Sequence, residues 1–78
     1  MLISYERGLE ELFTRIRKDH PRFQEALVYQ QRLIENITHS RQFGDTLERQ
    51  AERATIIAQL NDLAGAALGE PFSKLAGI

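Results

Sequence analysis

Cysteine is absent from this sequence, which excludes disulfide bonds and any thiolate that could serve as a nucleophile or a metal ligand. Its absence fits a reducing cytoplasm, where we expect the protein to reside. The 78 residues have room for one hydrophobic core, because a chain of this size buries only about 60% of its unfolded surface. We therefore expect a single domain over residues 1–78, fused to or excised from a larger protein.

Long apolar runs are missing as well. The stretch around Ile56 and Ile57 is broken by polar residues within a few positions, whereas a membrane-spanning helix needs about 20 apolar residues. Residues 1–7 lack the basic start and apolar run of a signal peptide. Ten basic and eleven acidic residues give a net charge of -1, which supplies no general field toward an anionic surface. We expect no membrane partner.

Helix breakers are scarce, with two prolines and five glycines among many strong helix formers. The first amphipathic segment begins near Ser4, a good N-cap, and its apolar stripe runs from Tyr5 to Ile16. Gly8 lies inside this segment and costs about 1 kcal/mol relative to alanine. We therefore expect the first helix to be the weakest, or to begin after Gly8.

The second segment, from Pro21 to about Arg41, has the clearest helical pattern, and its proline fits a first helical turn. One face carries its apolar residues: Phe23, Ala26, Leu27, Leu33, Ile34 and Ile37. Gly44 is expected to end this helix. Asp45 and Glu48 resemble a capping box at the start of the next one.

The third helix should run from about Thr46 to Leu68, before Gly69 and Pro71. Its second half carries a wide apolar face, as expected of a helix packed against two neighbours or against a partner. That face comprises Ile56, Ile57, Leu60, Leu63, Ala64, Ala67 and Leu68. The tail from 71 to 75 forms one further turn, and we expect Phe43 and Phe72 to pack at the two ends.

Short connections force consecutive helices to run antiparallel. The sequence therefore predicts an all-α fold: an antiparallel three-helix bundle with a short C-terminal fourth helix as an addition. The basic cluster Arg15, Arg17 and Lys18 could contact phosphate, and the last two helices could form a helix-turn-helix. We do not favour this interpretation, because the last two helices are long and the third is apolar on two sides. We expect no nucleic-acid partner.

Catalytic and metal-binding patterns are weak. His39, Ser40 and Asp45 can be written as a triad, but neighbouring residues of a helix point in different directions. Glu48 and Glu52 lack a histidine three or four residues away on the same face, as a metal site in a bundle would require. No glycine-rich phosphate loop is present. We expect no catalytic residues, metal, cofactor or small-molecule substrate; a small hydrolase using His39 ranks last.

Charged residues beside the apolar stripes offer a more specific hypothesis. Polar residues lie beside apolar ones on the second helix (Arg32, Glu35 and Asn36) and on the third (Arg49, Glu52 and Arg53). Four of them, Arg32, Glu35, Arg49 and Arg53, are expected to bind across an interface with another helical domain. The same residues could equally form a salt-bridge network within the chain, which would fix the register of the two helices. Asn61, between Leu60 and Leu63, is expected to be a satisfied buried amide.

Several runs resemble one family. They are Arg32-Leu33-Ile34-Glu35-Asn36-Ile37, Arg41-Gln42-Phe43-Gly44-Asp45-Thr46, Glu52-Arg53-Ala54, Leu60-Asn61-Asp62-Leu63 and Gly69-Glu70-Pro71-Phe72. Together they resemble bacterial effector-associated, or death-like, adaptor domains of multidomain conflict proteins, which carry such modules beside NACHT-type or other STAND NTPases, TIR domains or caspase-like peptidases. The resemblance covers residues 9 to 75. The animal death fold has six helices, so three long helices depart from that topology.

The resemblance implies a non-catalytic adaptor that couples sensor and effector modules in bacterial immunity or signalling, through homotypic or heterotypic helix packing. Its partners would be other helical adaptor domains or a second copy of the chain. The alternative is a structural homo-oligomerisation domain, in which identical chains bury the wide apolar face of the third helix. A charge introduced at Ile56 or Leu60 would give a folded monomer only if that residue lay at an interface.

Overall fold

The computed structural model describes residues 2–78, and within this range all regular structure is helical. Four helices follow one another along the chain: α1 (Leu2–Arg15), α2 (Phe23–Phe43), α3 (Leu47–Leu68) and α4 (Phe72–Leu75). The predicted all-α bundle with three long helices and a short C-terminal addition is confirmed. The molecule measures 36 × 22 × 18 Å along its principal axes.

Ion pairs and ring contacts fix the antiparallel order of the long helices. Arg41 near the end of α2 pairs with Glu6 near the start of α1. At the opposite end Phe13 and Phe23 meet edge to face, with their ring centroids 5.9 Å apart. Another ion pair shows that α2 and α3 are antiparallel as well. The guanidinium of Arg22, in the turn before α2, lies 3.0 Å from the carboxylate of Asp62, in the second half of α3.

The wide apolar face of α3 is used inside the molecule. Ile56 and Leu60 are buried, and α3 packs against both α2 and α4, so the expectation of two neighbours is confirmed. The core draws on all four helices and their ends: Leu9, Leu12, Ile16, Ala26, Leu33, Ile37, Ile56, Leu60, Leu63, Ala64, Phe72 and Ala76. Oligomerisation through Ile56 or Leu60 would therefore have to open this core.

α1 begins at Leu2 and continues through Gly8, so neither the predicted start near Ser4 nor a start after the glycine is correct. Gly8 is buried where α1 crosses α4. A Cβ placed on it would lie 2.8 Å from the Cβ of Ala76 and 2.8 Å from the ring of Phe72. The glycine thus permits the close approach of two helices, and the packing gained there offsets its poor helix propensity.

Two predictions on α2 were wrong. The helix begins at Phe23, because residues 17–22 form turns in which the backbone N–H of Arg22 donates to Nδ1 of His20 at 3.0 Å. The buried stripe is also narrower than expected, since Leu27 and Ile34 remain 37% and 45% exposed. These two residues lie at the edge of the stripe on the side of α1, where Ile34 lines a shallow groove with Glu6 and Leu9 of α1.

The start of α3 corrects the capping prediction. Thr46 is the N-cap, and its hydroxyl oxygen accepts from the backbone N–H of Arg49 at 3.1 Å. Asp45 lies one residue earlier and bonds elsewhere. Gly44 ends α2 with a φ of 94°, a conformation that favours glycine.

The two phenylalanines expected at the bundle ends behave differently. Phe72 is fully buried in the core between α1 and α3, so it is a central packing residue. Phe43 is 70% exposed at the α2–α3 turn, and the prediction that it packs there was wrong. Its ring is contacted from one side only, by His39 and Arg49.

Candidate protein-interaction surface

The four charged residues that the sequence singled out fall into two groups. Arg49 and Arg53 lie at the α2–α3 turn, where they join a set of hydrogen-bonded side chains. Arg32 and Glu35 lie about three turns of helix from the start of α2, on the wall of an open groove between α2 and α3. The two groups differ in burial and in the partners available to them.

Arg53 belongs to a polar network, which we call the turn network: Asn36, Ser40, Asp45 and Arg53. The side chain of Arg53 is only 8% exposed and that of Asp45 is 36% exposed. Both terminal nitrogens of the guanidinium donate to the Asp45 carboxylate, at 2.7 and 3.1 Å. One of those nitrogens also donates to Oδ1 of Asn36 at 2.8 Å. This bidentate geometry is the strong form of an arginine–carboxylate pair.

The other members complete the network. The Asn36 amide nitrogen donates to the carbonyl oxygen of Arg49 at 2.9 Å and to Oε1 of Glu52 at 3.1 Å. The Ser40 hydroxyl donates to Oδ1 of Asp45 at 3.1 Å. Every buried side-chain nitrogen and oxygen in the described part of the chain has a partner. The network therefore fixes the register of α2 against α3 without leaving an unsatisfied group.

Electrostatics follow from this geometry. The Arg53 guanidinium lowers the pKa of the Asp45 carboxyl below its ordinary value, with a smaller contribution from the Ser40 hydroxyl, while partial burial opposes the change. The carboxylate in turn raises the pKa of Arg53. Both groups are thus held in their charged forms, with the buried Arg53 side chain compensated by a carboxylate that reaches the surface.

Arg49 supports the same turn. Its guanidinium donates to the carbonyl oxygen of Gly44 at 2.6 Å and lies over the ring of Phe43, 5.9 Å from the centroid. Arg53 therefore forms an ion pair within the chain, as the salt-bridge-network hypothesis expected, whereas Arg49 contacts a carbonyl oxygen and an aromatic ring and forms no ion pair within residues 2–78. An additional role for Arg49 or Arg53 at an interface stays a prediction that these contacts do not test.

The second group lines a groove of about 410 Å³ that opens to solvent between α2 and α3. Six residues form its walls and floor: Arg32, Glu35, Glu52, Thr55, Ile56 and Gln59. Among residues 2–78, Arg32 forms no ion pair within 4.0 Å, although two carboxylates share the groove with it. The structure thus brings Arg32 and Glu35 together on a surface that is free to meet another molecule.

Most of the exposed apolar side chains belong to one stretch of the chain. Seven large hydrophobic residues are exposed in the described range, and five of them fall between residues 27 and 47. Those five are Leu27, Val28, Ile34, Phe43 and Leu47. Single exposed hydrophobic residues are ordinary. Five of them on one helix and the following turn are available to a partner, although Ile34 faces the α1 side and not the groove of Arg32.

Sequence reasoning named Asn36 and Arg53 but did not find the pairing of Asp45 with Arg53. Asn36 stands between Leu33 and Ile37 on the buried face of α2, and a polar residue in that position was a signal for a buried partner. Asn61 was identified correctly as a satisfied amide, because its Oδ1 accepts from the backbone N–H and the hydroxyl of Ser73 at 2.8 and 3.0 Å.

The side chains of the triad written from the sequence do not converge. Ser40 is buried and donates to Asp45, whereas His39 is exposed and its ring lies 6.1 Å from that of Phe43. In residues 2–78 no three histidine, aspartate or glutamate side chains are grouped so that they could hold a metal ion. Over the same range, no helix combines the length and apolar character needed to cross a membrane.

Comparison with known proteins adds no relative, since neither a protein-family model, nor a curated protein, nor a solved structure matches the chain. What can be said of its function therefore rests on its own residues.

Proposed function

We propose that this chain is a non-catalytic protein–protein interaction domain that binds another helical domain through α2 and the α2–α3 turn. The observation that carries the proposal is the set of exposed large apolar residues on α2 and the α2–α3 turn. Leu27 and Ile34 lie on the α1 side of α2, and the groove in which Arg32 has no ion pair lies on its α3 side. An interface commonly combines apolar anchors with a polar rim, and this surface offers both.

The turn network supports the proposal because it holds the two helices that carry the surface in a fixed register. Because Arg53 and Asp45 lock α2 against α3, the surface is carried on a helix pair whose register is fixed before a partner arrives. A rigid surface loses less conformational entropy on binding than a flexible one. The resemblance to bacterial effector-associated or death-like adaptor domains extends the proposal to a setting: the coupling of sensor and effector modules in bacterial immunity or signalling, in the cytoplasm.

An NMR titration tests the proposal. The ¹⁵N-labelled domain is titrated with itself over a concentration series, and with helical adaptor domains encoded in the same gene or beside it. We expect chemical-shift changes that map to residues 27–47 and reverse on dilution. An Ile34→Lys variant should lose those changes while keeping its circular dichroism spectrum. If no helical domain, including the chain itself, shifts these resonances up to about 1 mM, the proposal fails.

The alternative is a structural homo-oligomerisation domain. The face of α3 that this alternative uses is filled by the chain's own α2 and α4, so another surface would have to mediate assembly. A dimer that persists at the lowest measurable concentration would favour the alternative, because obligate assemblies do not dissociate on dilution as adaptor contacts do.

A further inference from the structure

The outer face of α2 has a palindromic spacing. Val28, Arg32, Glu35 and His39 are all exposed, and they follow one another at intervals of four, three and four residues. Residues at these intervals lie on one stripe of a helix. The pattern reads the same from either end about a point between residues 33 and 34.

A two-fold axis through that point would align the stripe with its own copy. If two α2 helices cross antiparallel there, Arg32 of each copy faces Glu35 of the other, and Val28 of each faces His39 of the other. Such an isologous contact uses the same patch twice and closes at a dimer. We propose that two copies of this chain associate in this way; the inference rests on the proposed function and names the partner as a second copy.

The charges of the groove favour this occupant. Arg32 is its one cation, while Glu35 and Glu52 are two carboxylates. Glu52 accepts only from the Asn36 amide and Glu35 only from Gln31 at 3.3 Å, so neither is neutralised by an ion pair within the described chain. In the two-fold contact the Arg32 guanidinium of each copy would pair with the Glu35 carboxylate of the other. Glu52 of each copy keeps its charge, so the contact retains a net negative charge that weakens it.

The dimer should be weak and sensitive to salt, because exposed ion pairs contribute little individually and are screened. Val28, which is 47% exposed, adds a small apolar contact on each side of the axis. Weak, reversible association is what a homotypic adaptor contact requires, since it must form only when several copies are brought together.

Charge exchange tests the contact. Sedimentation equilibrium of the full chain is measured at low salt for the wild type, Arg32→Glu, Glu35→Arg and the double variant. Each single variant places like charges opposite each other twice, and we expect its dimer dissociation constant to rise about tenfold or more. The double variant restores opposite charges and should return to within about threefold of wild type. An equimolar mixture of the two single variants should form a 1:1 dimer tighter than either variant alone.

Lys18→Glu is the matched control, because it changes the net charge by the same amount at an exposed position outside α2. Circular dichroism establishes that every variant is folded. The two-fold contact is overturned if the single variants associate like wild type, if Lys18→Glu weakens association equally, or if the mixture does not associate. A wild type that stays monomeric also overturns it, whereas the proposed function fails only if helical partner domains leave the NMR spectrum unchanged too.

Discussion

Arg53 and Arg32 both lie beside the seam between α2 and α3, yet their surroundings differ. Arg53 is buried and its guanidinium has a carboxylate and an amide within hydrogen-bonding distance. Arg32 is exposed, and no carboxylate within residues 2–78 comes within ion-pair distance of it. Arg53 therefore stabilises the fold near the α2–α3 turn, whereas Arg32, further along the same helix pair, has no ion pair within the described residues.

What decides between the two outcomes is the residue opposite. A guanidinium can be buried only where its charge is compensated and its N–H groups are bonded. The α2–α3 turn brings Asp45 and Asn36 to Arg53, and the carboxylate matches the planar guanidinium with two bonds. Further from the turn, Glu35 and Glu52 line the same groove as Arg32, but neither carboxylate comes within ion-pair distance of its guanidinium. We therefore predict that substitution of Arg53 lowers stability, whereas substitution of Arg32 weakens binding.

The largest effect is expected for Arg53→Leu. Removing the guanidinium leaves Oδ1 of the buried Asn36 amide without its donor, while the Asp45 carboxylate, 36% exposed, is hydrated instead, so we expect a loss of about 1–3 kcal/mol in the free energy of unfolding. Arg32→Leu should change it by less than about 0.5 kcal/mol. Urea denaturation followed by circular dichroism measures both. Equal losses for the two variants would remove the distinction between a structural and an open arginine.

Two helical glycines show a similar contrast, because Gly8 is closely packed and Gly65 has open space beside it. In Gly8→Ala the new methyl group meets Phe72 and Ala76, and we expect a net loss of about 1–2 kcal/mol after the gain in helix propensity. Gly65→Ala meets no atom within 4 Å and should gain about 0.5–1 kcal/mol. Thermal unfolding of the two variants compares them directly. A stabilised Gly8→Ala protein would show that α4 does not approach α1 so closely.

A smaller effect separates the two capping assignments. Thr46→Ala removes the hydroxyl that accepts from Arg49 and should cost about 1 kcal/mol. Glu48→Ala, which would remove the acceptor of a capping box begun by Asp45, should change the free energy of unfolding only slightly. Denaturation midpoints of these two variants discriminate between the caps. A neutral Thr46→Ala together with a costly Glu48→Ala would restore the capping-box assignment.

The last prediction concerns acid. The folded-state pKa of Asp45 is lowered, chiefly by Arg53, and the pKa values of Glu25 and Glu70 are lowered by hydrogen bonds from Arg22 and Arg15. The stability that these carboxylates contribute is present above their ordinary values, 3.8 for aspartate and 4.5 for glutamate. It is lost as the pH falls through the lowered folded values.

We therefore expect the denaturation midpoint in urea to fall as the pH drops below about 4. Arg53→Leu should show a shallower decline than wild type, because its Asp45 no longer has a lowered pKa. Arg32→Leu should follow the wild-type curve. An unchanged slope in Arg53→Leu would mean that Asp45 contributes nothing to the acid sensitivity.

Much of the architecture could be predicted from local pattern. Helix ends at Leu68 and the turn at Gly44 follow from glycine and proline positions, and the wide face of α3 correctly indicated two neighbours. The candidate surface could be predicted only in part. Arg32 and Glu35 were named together and do share a groove, whereas the grouping of Arg53 with them could not be resolved, because its partner Asp45 is set by the path of the turn.

The sequence by itself determined the four helical segments and the absence of disulfide chemistry, because propensity, apolar periodicity and helix breakers act over a few residues. Only the tertiary structure decided which polar residues are buried, why Gly8 is needed, and which apolar residues stay exposed. Those outcomes depend on contacts between distant parts of the chain: Asp45 with Arg53 across a turn, and Gly8 with Phe72 across the whole domain. Spacing along the sequence does not encode such distances, since they are set when the helices pack.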